Sequence, residues 1–107
     1  MPRVHAATDV FRAIADGNRR TLLDAMMSGE TAVGDLAKAA RLSYSAVSQH
    51  LAILREAGLV ERRRKGRHQL YRIEPGPLFA VHTWSARYQR FWQNRLGRLK
   101  RLVEATR

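Results

Sequence analysis

The sequence predicts a mainly α-helical domain that carries one small β-hairpin. Three observations predict it. Between residues 8 and 56, apolar side chains recur at helical spacing in short runs separated by Gly or polar breaks. Residues 59–73 form two extended runs around a Lys-Gly turn. After Pro75-Gly76-Pro77, a last run from Leu78 to Ala105 returns to spacings of three and four.

The elements follow in order. Thr8 or Asp9 can cap a first helix with Val10, Phe11 and Ile14 on one face. Asp16-Gly17 breaks it, and Asn18 can cap a second helix bearing Leu22, Leu23, Met26 and Met27, ended by Ser28-Gly29. Thr31 can cap a third helix, Ala32 to Ala40, with Val33, Leu36 and Ala37 inward. After a short Arg41-Leu42 turn, Ser43 caps a fourth helix running to Glu56. Its Val47, Leu51 and Leu54 lie on one face, and Gly58 suits the left-handed position after its end. Two strands, Leu59–Arg64 and Arg67–Ile73, then flank Lys65-Gly66, with Tyr71 and Ile73 on one side and Leu70 on the other.

The outer face of the fourth helix carries Tyr44, Ser45, Ser48, Gln49 and Ala52, with His50 at its boundary. Short polar side chains let a helix approach base edges in a major groove, and Gln can pair bidentately with adenine. A short helix and a tight turn precede it, the order of a helix-turn-helix. The following hairpin packs five basic residues into Arg62–Arg67 and so has the form of a wing able to grip phosphates. The expected fold is therefore a winged helix-turn-helix. Ser45, Ser48 and Gln49 are expected to read bases. Ser43, Tyr44 and His50 contact bases or adjacent phosphates, and Arg63, Arg64, Lys65 and Arg67 neutralise phosphates.

Charge agrees with a polyanionic partner, double-stranded DNA. The 107-residue chain has a formal net charge of +11. Through Gly58, seven basic residues face six acids; beyond it, thirteen face three. The absence of cysteine excludes disulfides and thiolate metal sites. No apolar run approaches the roughly 20 residues that span a bilayer, and Met1–Ala7 is too short and polar for a secretory leader. A cytoplasmic protein with no membrane association is expected. Scattered acids, serines without an acid-backed histidine and the lack of a Gly-rich phosphate loop argue against an enzyme.

Thr31–Ile73 resembles the helix-turn-helix and wing of the ArsR family of bacterial repressors. The resemblance rests on Ser48-x-His50-Leu51, on Leu54-Arg55-Glu56-Ala57-Gly58-Leu59-Val60, and on the Arg-Lys-Gly-Arg wing followed by Tyr71. Phe11–Arg20 is similar to the family's first-to-second-helix signature. The resemblance implies a winged-helix homodimer that represses transcription by occupying an operator. One metal site of that family uses a Glu-Leu-Cys-Val-Cys-Asp-Leu box; here Glu30-Thr31-Ala32-Val33-Gly34-Asp35-Leu36 stands in its place, with both thiolates gone. A second draws on the last helix, which offers only His82 and Glu104. No metal and no cofactor is expected, and the sequence names no effector.

The run from Leu78 to Ala105 carries Trp84, Tyr88, Phe91, Trp92, Leu96, Leu99 and Leu102, more aromatic and aliphatic surface than a small domain buries alone. With Val10, Phe11 and Ile14 it is read as a homodimer interface through terminal helices. The chain is expected to be one domain, residues 8–73 forming the helices and wing and residues 75–106 a C-terminal dimerisation helix. Two recognition helices would then meet successive major grooves about 34–36 Å apart over an inverted repeat. Two alternatives stay open: a nonspecific basic nucleic-acid-associated protein, and a repressor answering a small molecule held near the C-terminal helix among Trp84, Tyr88 and Trp92.

Overall fold

The computed structural model describes residues 6–106. Its elements are α1 (Ala6–Ile14), α2 (Gly17–Ala25), β1 (Thr31–Ala32), α3 (Val33–Ala40), α4 (Tyr44–Glu56), β2 (Val60–Lys65), β3 (His68–Ile73), α5 (Leu78–Ala86) and α6 (Gln89–Ala105). The fold is mostly helical with a three-stranded antiparallel sheet in the order β1-β3-β2.

The helical periodicities converge on one core. Val10, Leu22, Leu36, Val47, Leu51, Leu54 and Leu59 are fully buried, and Val60 and Tyr71 bring the sheet onto the same cluster. Val10, expected at a dimer interface, is thus a residue of the protomer's own core: α1 turns it inward onto α2 and α4.

The helix ends differ from the expected caps, for local reasons. α1 begins at Ala6, so Thr8 and Asp9 lie within it rather than at its start. Asp16, not Asn18, caps α2: its Oδ1 accepts from the amides of Asn18 at 2.7 Å and Arg19 at 3.3 Å. Burial raises the Asp16 pKa, but those two amides and the Arg19 charge outweigh it and hold the carboxyl below its ordinary value. The guanidinium of Arg19 donates to the carbonyls of Ala13 (2.6 Å) and Arg12 (3.2 Å), and that of Arg20 to Ile14 (2.7 Å). Two cations from α2 therefore close the C-terminal end of α1.

Thr31 caps no helix. It pairs with Tyr71 as part of β1, which docks the start of α3 on the wing, and α3 begins at Val33 without a side-chain cap. A two-residue strand carries too little periodicity to be read from sequence.

The turn between α3 and α4 is built on a left-handed arginine. Arg41 has φ 55°, and the amides of Arg41 and Leu42 return to the carbonyls of Lys38 and Ala37. This is the helix-ending pattern usually given to glycine. Gly58 (φ 75°) ends α4 the same way: the Leu59 amide reaches the Leu54 carbonyl at 3.0 Å. In the wing, strand pairing runs from Val60↔Ile73 to Lys65↔His68, so the turn is Gly66-Arg67 rather than Lys65-Gly66. Gly66 takes φ 62°, which a two-residue hairpin turn needs.

The C-terminal run is two helices, not one. α5 stops at Ala86 and α6 starts at Gln89, with Arg87 and Tyr88 between them. α5 lies against α1, where the Trp84 ring meets Phe11 edge-on at 5.6 Å. No residue of α6 is buried, and no other element covers its length.

Candidate nucleic-acid interface

The surface is assembled on α4 and the wing. Val47, Leu51 and Leu54 bury one face of α4, which forces Tyr44, Ser45, Ser48, Gln49 and Ala52 outward. Tyr44 at the first turn is 63% exposed. Ser43 caps the helix, its Oγ accepting from the Ala46 amide at 3.1 Å. One of its two acceptor lone pairs is therefore taken, and the hydroxyl proton and the other lone pair are what it can offer a partner.

His50 does not join this face. Its half-buried ring is turned toward the α1–α2 junction, with Nδ1 3.3 Å from the Arg19 guanidinium. An arginine can only donate, so Nδ1 accepts. At three residues from Val47 and four from Leu54, His50 lies on the flank of the buried stripe, where it links α2 and α4.

The wing divides its cations. Directly paired residues of antiparallel strands share a face, so Arg63 and Lys65 lie with Leu70 and His68, and Arg62 and Arg64 with Tyr71 and Gln69. Arg63 is already engaged: its Nε and Nη2 donate to the two Glu30 oxygens at 2.6 and 2.7 Å. The pair fastens the wing to the segment before β1 and leaves the Arg63 side chain 58% exposed, so a contact with phosphate would be made beside Glu30 or in exchange for it. Arg72 is held by Glu61 at 2.7 Å and Glu74 at 3.5 Å. Arg64, Lys65 and Arg67 at the tip are exposed and have no carboxylate partner among the described residues.

Two further cations stand near this surface, Arg62 of the expected basic wing and Arg41, which was not expected there. Arg62 is exposed in the middle of β2, and Arg41 is exposed in the turn before α4. A basic residue two positions ahead of the Ser43 cap was the sequence feature that could have found the second.

The Glu30–Arg63 pair has a pH consequence. The Arg63 hydrogen bonds, against some burial, hold the Glu30 carboxyl below its ordinary value of 4.5, as Asp16 is held below 3.8. The unfolded chain therefore takes up protons first as acid is added. The contribution of both groups is complete above about pH 5 and is lost as pH falls through 4.5 toward the lowered values. The urea midpoint is expected to be flat in this respect from about pH 7 to 5 and to fall below that, and an Asp16→Asn/Glu30→Gln variant should show a shallower fall.

Trp84, Tyr88 and Phe91 follow one another from α5 into the start of α6. Their rings continue edge-on or tilted from Phe11, at 5.4 Å for Trp84–Tyr88 and 6.4 Å for Tyr88–Phe91, as an exposed aromatic ridge. A recess of about 1100 Å³ lies elsewhere, between α2 and the base of the wing, with Ile14, Leu23, Met26, Ile73 and Leu78 in its wall. Among the described residues no group of three or more His, Asp or Glu side chains lies close enough to hold a metal ion, and no helix is long and apolar enough to cross a membrane.

A three-helix body, an exposed polar helix after a tight turn and a cationic hairpin beside it define a winged helix-turn-helix DNA-binding protein. Comparison with known proteins gives the family. Residues 16–62 match the bacterial regulatory proteins of the arsR family. The chain is 37% identical to the HTH-type transcriptional regulator Rv2034 of Mycobacterium tuberculosis, over 89% of this chain and 86% of that protein. It is 34% identical to the transcriptional repressor SdpR of Bacillus subtilis, over 71% of this chain and 84% of that one. The homodimeric winged helix-turn-helix DNA-binding domain of Mb0332 from Mycobacterium bovis superposes with a TM-score of 0.67 at 35% identity, covering 80% of this chain and 82% of that one. The chain belongs to the ArsR family, a family of transcription regulators, and is a DNA-binding transcriptional regulator.

Proposed function

We propose that the chain acts as a homodimeric repressor or autorepressor on an inverted-repeat operator in the cytoplasm, by occupancy rather than by turnover. The observation that carries this reading is the slim exposed face of α4 beside an unpaired cationic wing tip. Ser45, Ser48 and Gln49 supply donors and acceptors at the depth of base edges; Tyr44 and Ser43 lie at the N-terminal turn, where a helix meets the backbone. Arg64, Lys65 and Arg67 add phosphate contacts, joined by Arg41 and Arg62.

The second copy is called for by exposed apolar surface. The half-buried Phe11 and Ile14 of α1, with the exposed Trp84 of α5, Tyr88, and Phe91, Trp92, Leu96, Leu99 and Leu102 of α6, form the proposed interface. Soluble proteins rarely leave so many large apolar side chains uncovered on one side. The homodimeric relative supports a second copy, and the repressor relative supports repression. No metal, cofactor or effector is assigned.

The test is competition binding with the full chain. Operator fragments are recovered from genomic DNA, beginning with the chain's own upstream region. Affinity for the recovered site should exceed that for bulk DNA by roughly 10³ or more. Gln49→Ala should cost about 1–3 kcal/mol, concentrated at one base position of each half-site. A uniform loss across sequences would remove Gln49 from base readout, and equal affinity for all duplexes would leave a nonspecific nucleic-acid-binding protein.

A further inference from the structure

Charge changes abruptly along this chain. Through Gly58, seven basic residues face six acids, so cations are not simply favoured throughout. Residues 87–105, which hold α6, carry Arg87, Arg90, Arg95, Arg98, Lys100 and Arg101 against the single acid Glu104. All six cations are exposed, and none pairs with a carboxylate among the described residues. Arg90 sits 5.0 Å from the centre of the Phe91 ring, an attraction that leaves its charge uncompensated.

Three of these cations share one side of α6. At helical spacing Arg90, Arg98 and Arg101 fall within an arc of about 80°, with Asn94 among them, opposite Trp92, Leu96, Leu99 and Val103. α6 is not packed against α4 or the wing, so this side is a surface separate from the one described above. The helix carries the charge against its own stability. Arg98 stands three residues from both Arg95 and Arg101, where like charges disfavour a helix. No buried residue of α6 offsets that. A surface built for solubility mixes both signs, as the first 58 residues do, whereas one sign along one face makes a field that a polyanion answers.

We propose that the Arg90, Arg98 and Arg101 face of α6 is a second duplex-DNA surface, holding phosphate backbone outside the operator core that α4 and the wing contact. This goes beyond the reading above, which leaves that face of α6 without a role. The face chooses its partner by what it lacks. Only Asn94, Gly97 and Ala105 lie between the cations, so there is no apolar anchor for a protein partner and no aromatic ring on which an unpaired base could stack. Cations and one amide are what phosphate oxygens require. Arg90 to Arg101 spans about 16 Å of helix axis, close to the length of five phosphates along one strand. The phosphates come from the flanks of the operator or from a second duplex. In the first case the regulator lengthens its footprint, and in the second it ties two DNA segments together.

The test uses the full chain and an Arg90→Gln/Arg98→Gln/Arg101→Gln variant. Glutamine removes charge and keeps helix propensity, and circular dichroism checks that α6 persists. The recovered operator is titrated as a core duplex of about 25 bp and as a fragment of about 60 bp, each across a salt series. On the core duplex the variant should match the unsubstituted chain within about threefold in Kd and in salt slope. If flanks supply the phosphates, the unsubstituted chain should show a slope steeper by about two or more units on the long fragment, and the variant should not. If a second duplex supplies them, the chain held on biotinylated core duplex should capture a fluorescent mixed-sequence duplex, and the variant should not. Either difference supports the surface and tells the two sources apart. The proposal is overturned by a variant that equals the unsubstituted chain in both assays, or by one that loses the core duplex equally. Capture of polyglutamate without capture of DNA overturns it in favour of an acidic protein. The operator reading fails on a separate measurement, the binding of the unsubstituted chain to the core duplex.

Discussion

Replacing Arg64 and Lys65 together by alanine is expected to weaken binding to every duplex, operator or not, by on the order of 10²–10³-fold near 0.15 M salt. The size follows from counterion release. Each phosphate contact contributes close to one unit of slope in log K against log salt, and a dimer would lose about four such contacts. The slope should become shallower by that number, and the ratio of operator to bulk affinity should hardly move. The two side chains lie at the exposed end of the hairpin and pair with no carboxylate among the described residues, so their removal should leave the fold intact. Fluorescence anisotropy titrations from about 50 to 300 mM salt measure both quantities. An unchanged slope would take the wing off the DNA. The same substitution at Arg63 should behave differently, because Arg63 is paired with Glu30. Its loss should show first in the stability of the wing.

The other large effect falls on the fold. Leu51→Ala is expected to destabilise the protomer by about 2–5 kcal/mol, the transfer cost of the lost carbons plus the cavity left behind. Leu51 is 0% exposed, amid Leu22, Leu36, Val47 and Leu54. A domain of this size commonly has about 5–15 kcal/mol in total, so the variant should be partly unfolded near physiological temperature. Ile53, on the same helix but 38% exposed, should cost under about 1 kcal/mol when changed to alanine. Urea unfolding at one fixed protein concentration compares the two, with unchanged m-values showing that only stability has moved. Near-equal costs would mean that α4 does not present the face assigned to it.

Much of this arrangement was legible in the chain. The Val47, Leu51 and Leu54 spacing, the Ser43 cap and Gly58 bound α4 and fixed which side it buries, because each is a local effect with a period or a hydrogen bond of its own. The wing was legible because five cations and a glycine between extended runs have few other uses. The first-helix caps were not. Asp16 and Asn18 are both good caps, and the choice fell to the residue whose carboxylate meets two amides while Arg19 reaches back to α1. The break at Arg87-Tyr88 was invisible, because neither residue opposes helix and the apolar spacing runs on through it.

Alone, the sequence determined that this is a helical body with a basic wing, which helix faces outward with serine and glutamine, and that the ArsR family is where it belongs. Period, turn chemistry and charge are carried by near neighbours along the chain, so they survive without coordinates. Tertiary structure decided which polar side chains have partners within the fold. Arg63 and His50 stand among the expected DNA ligands; Glu30 lies 33 residues from the one and Arg19 lies 31 residues from the other, and each meets its partner across the fold. Val10 was settled in the same way, by the helices that close over it. Pairings between residues so far apart depend on how whole elements pack, and no local pattern encodes them.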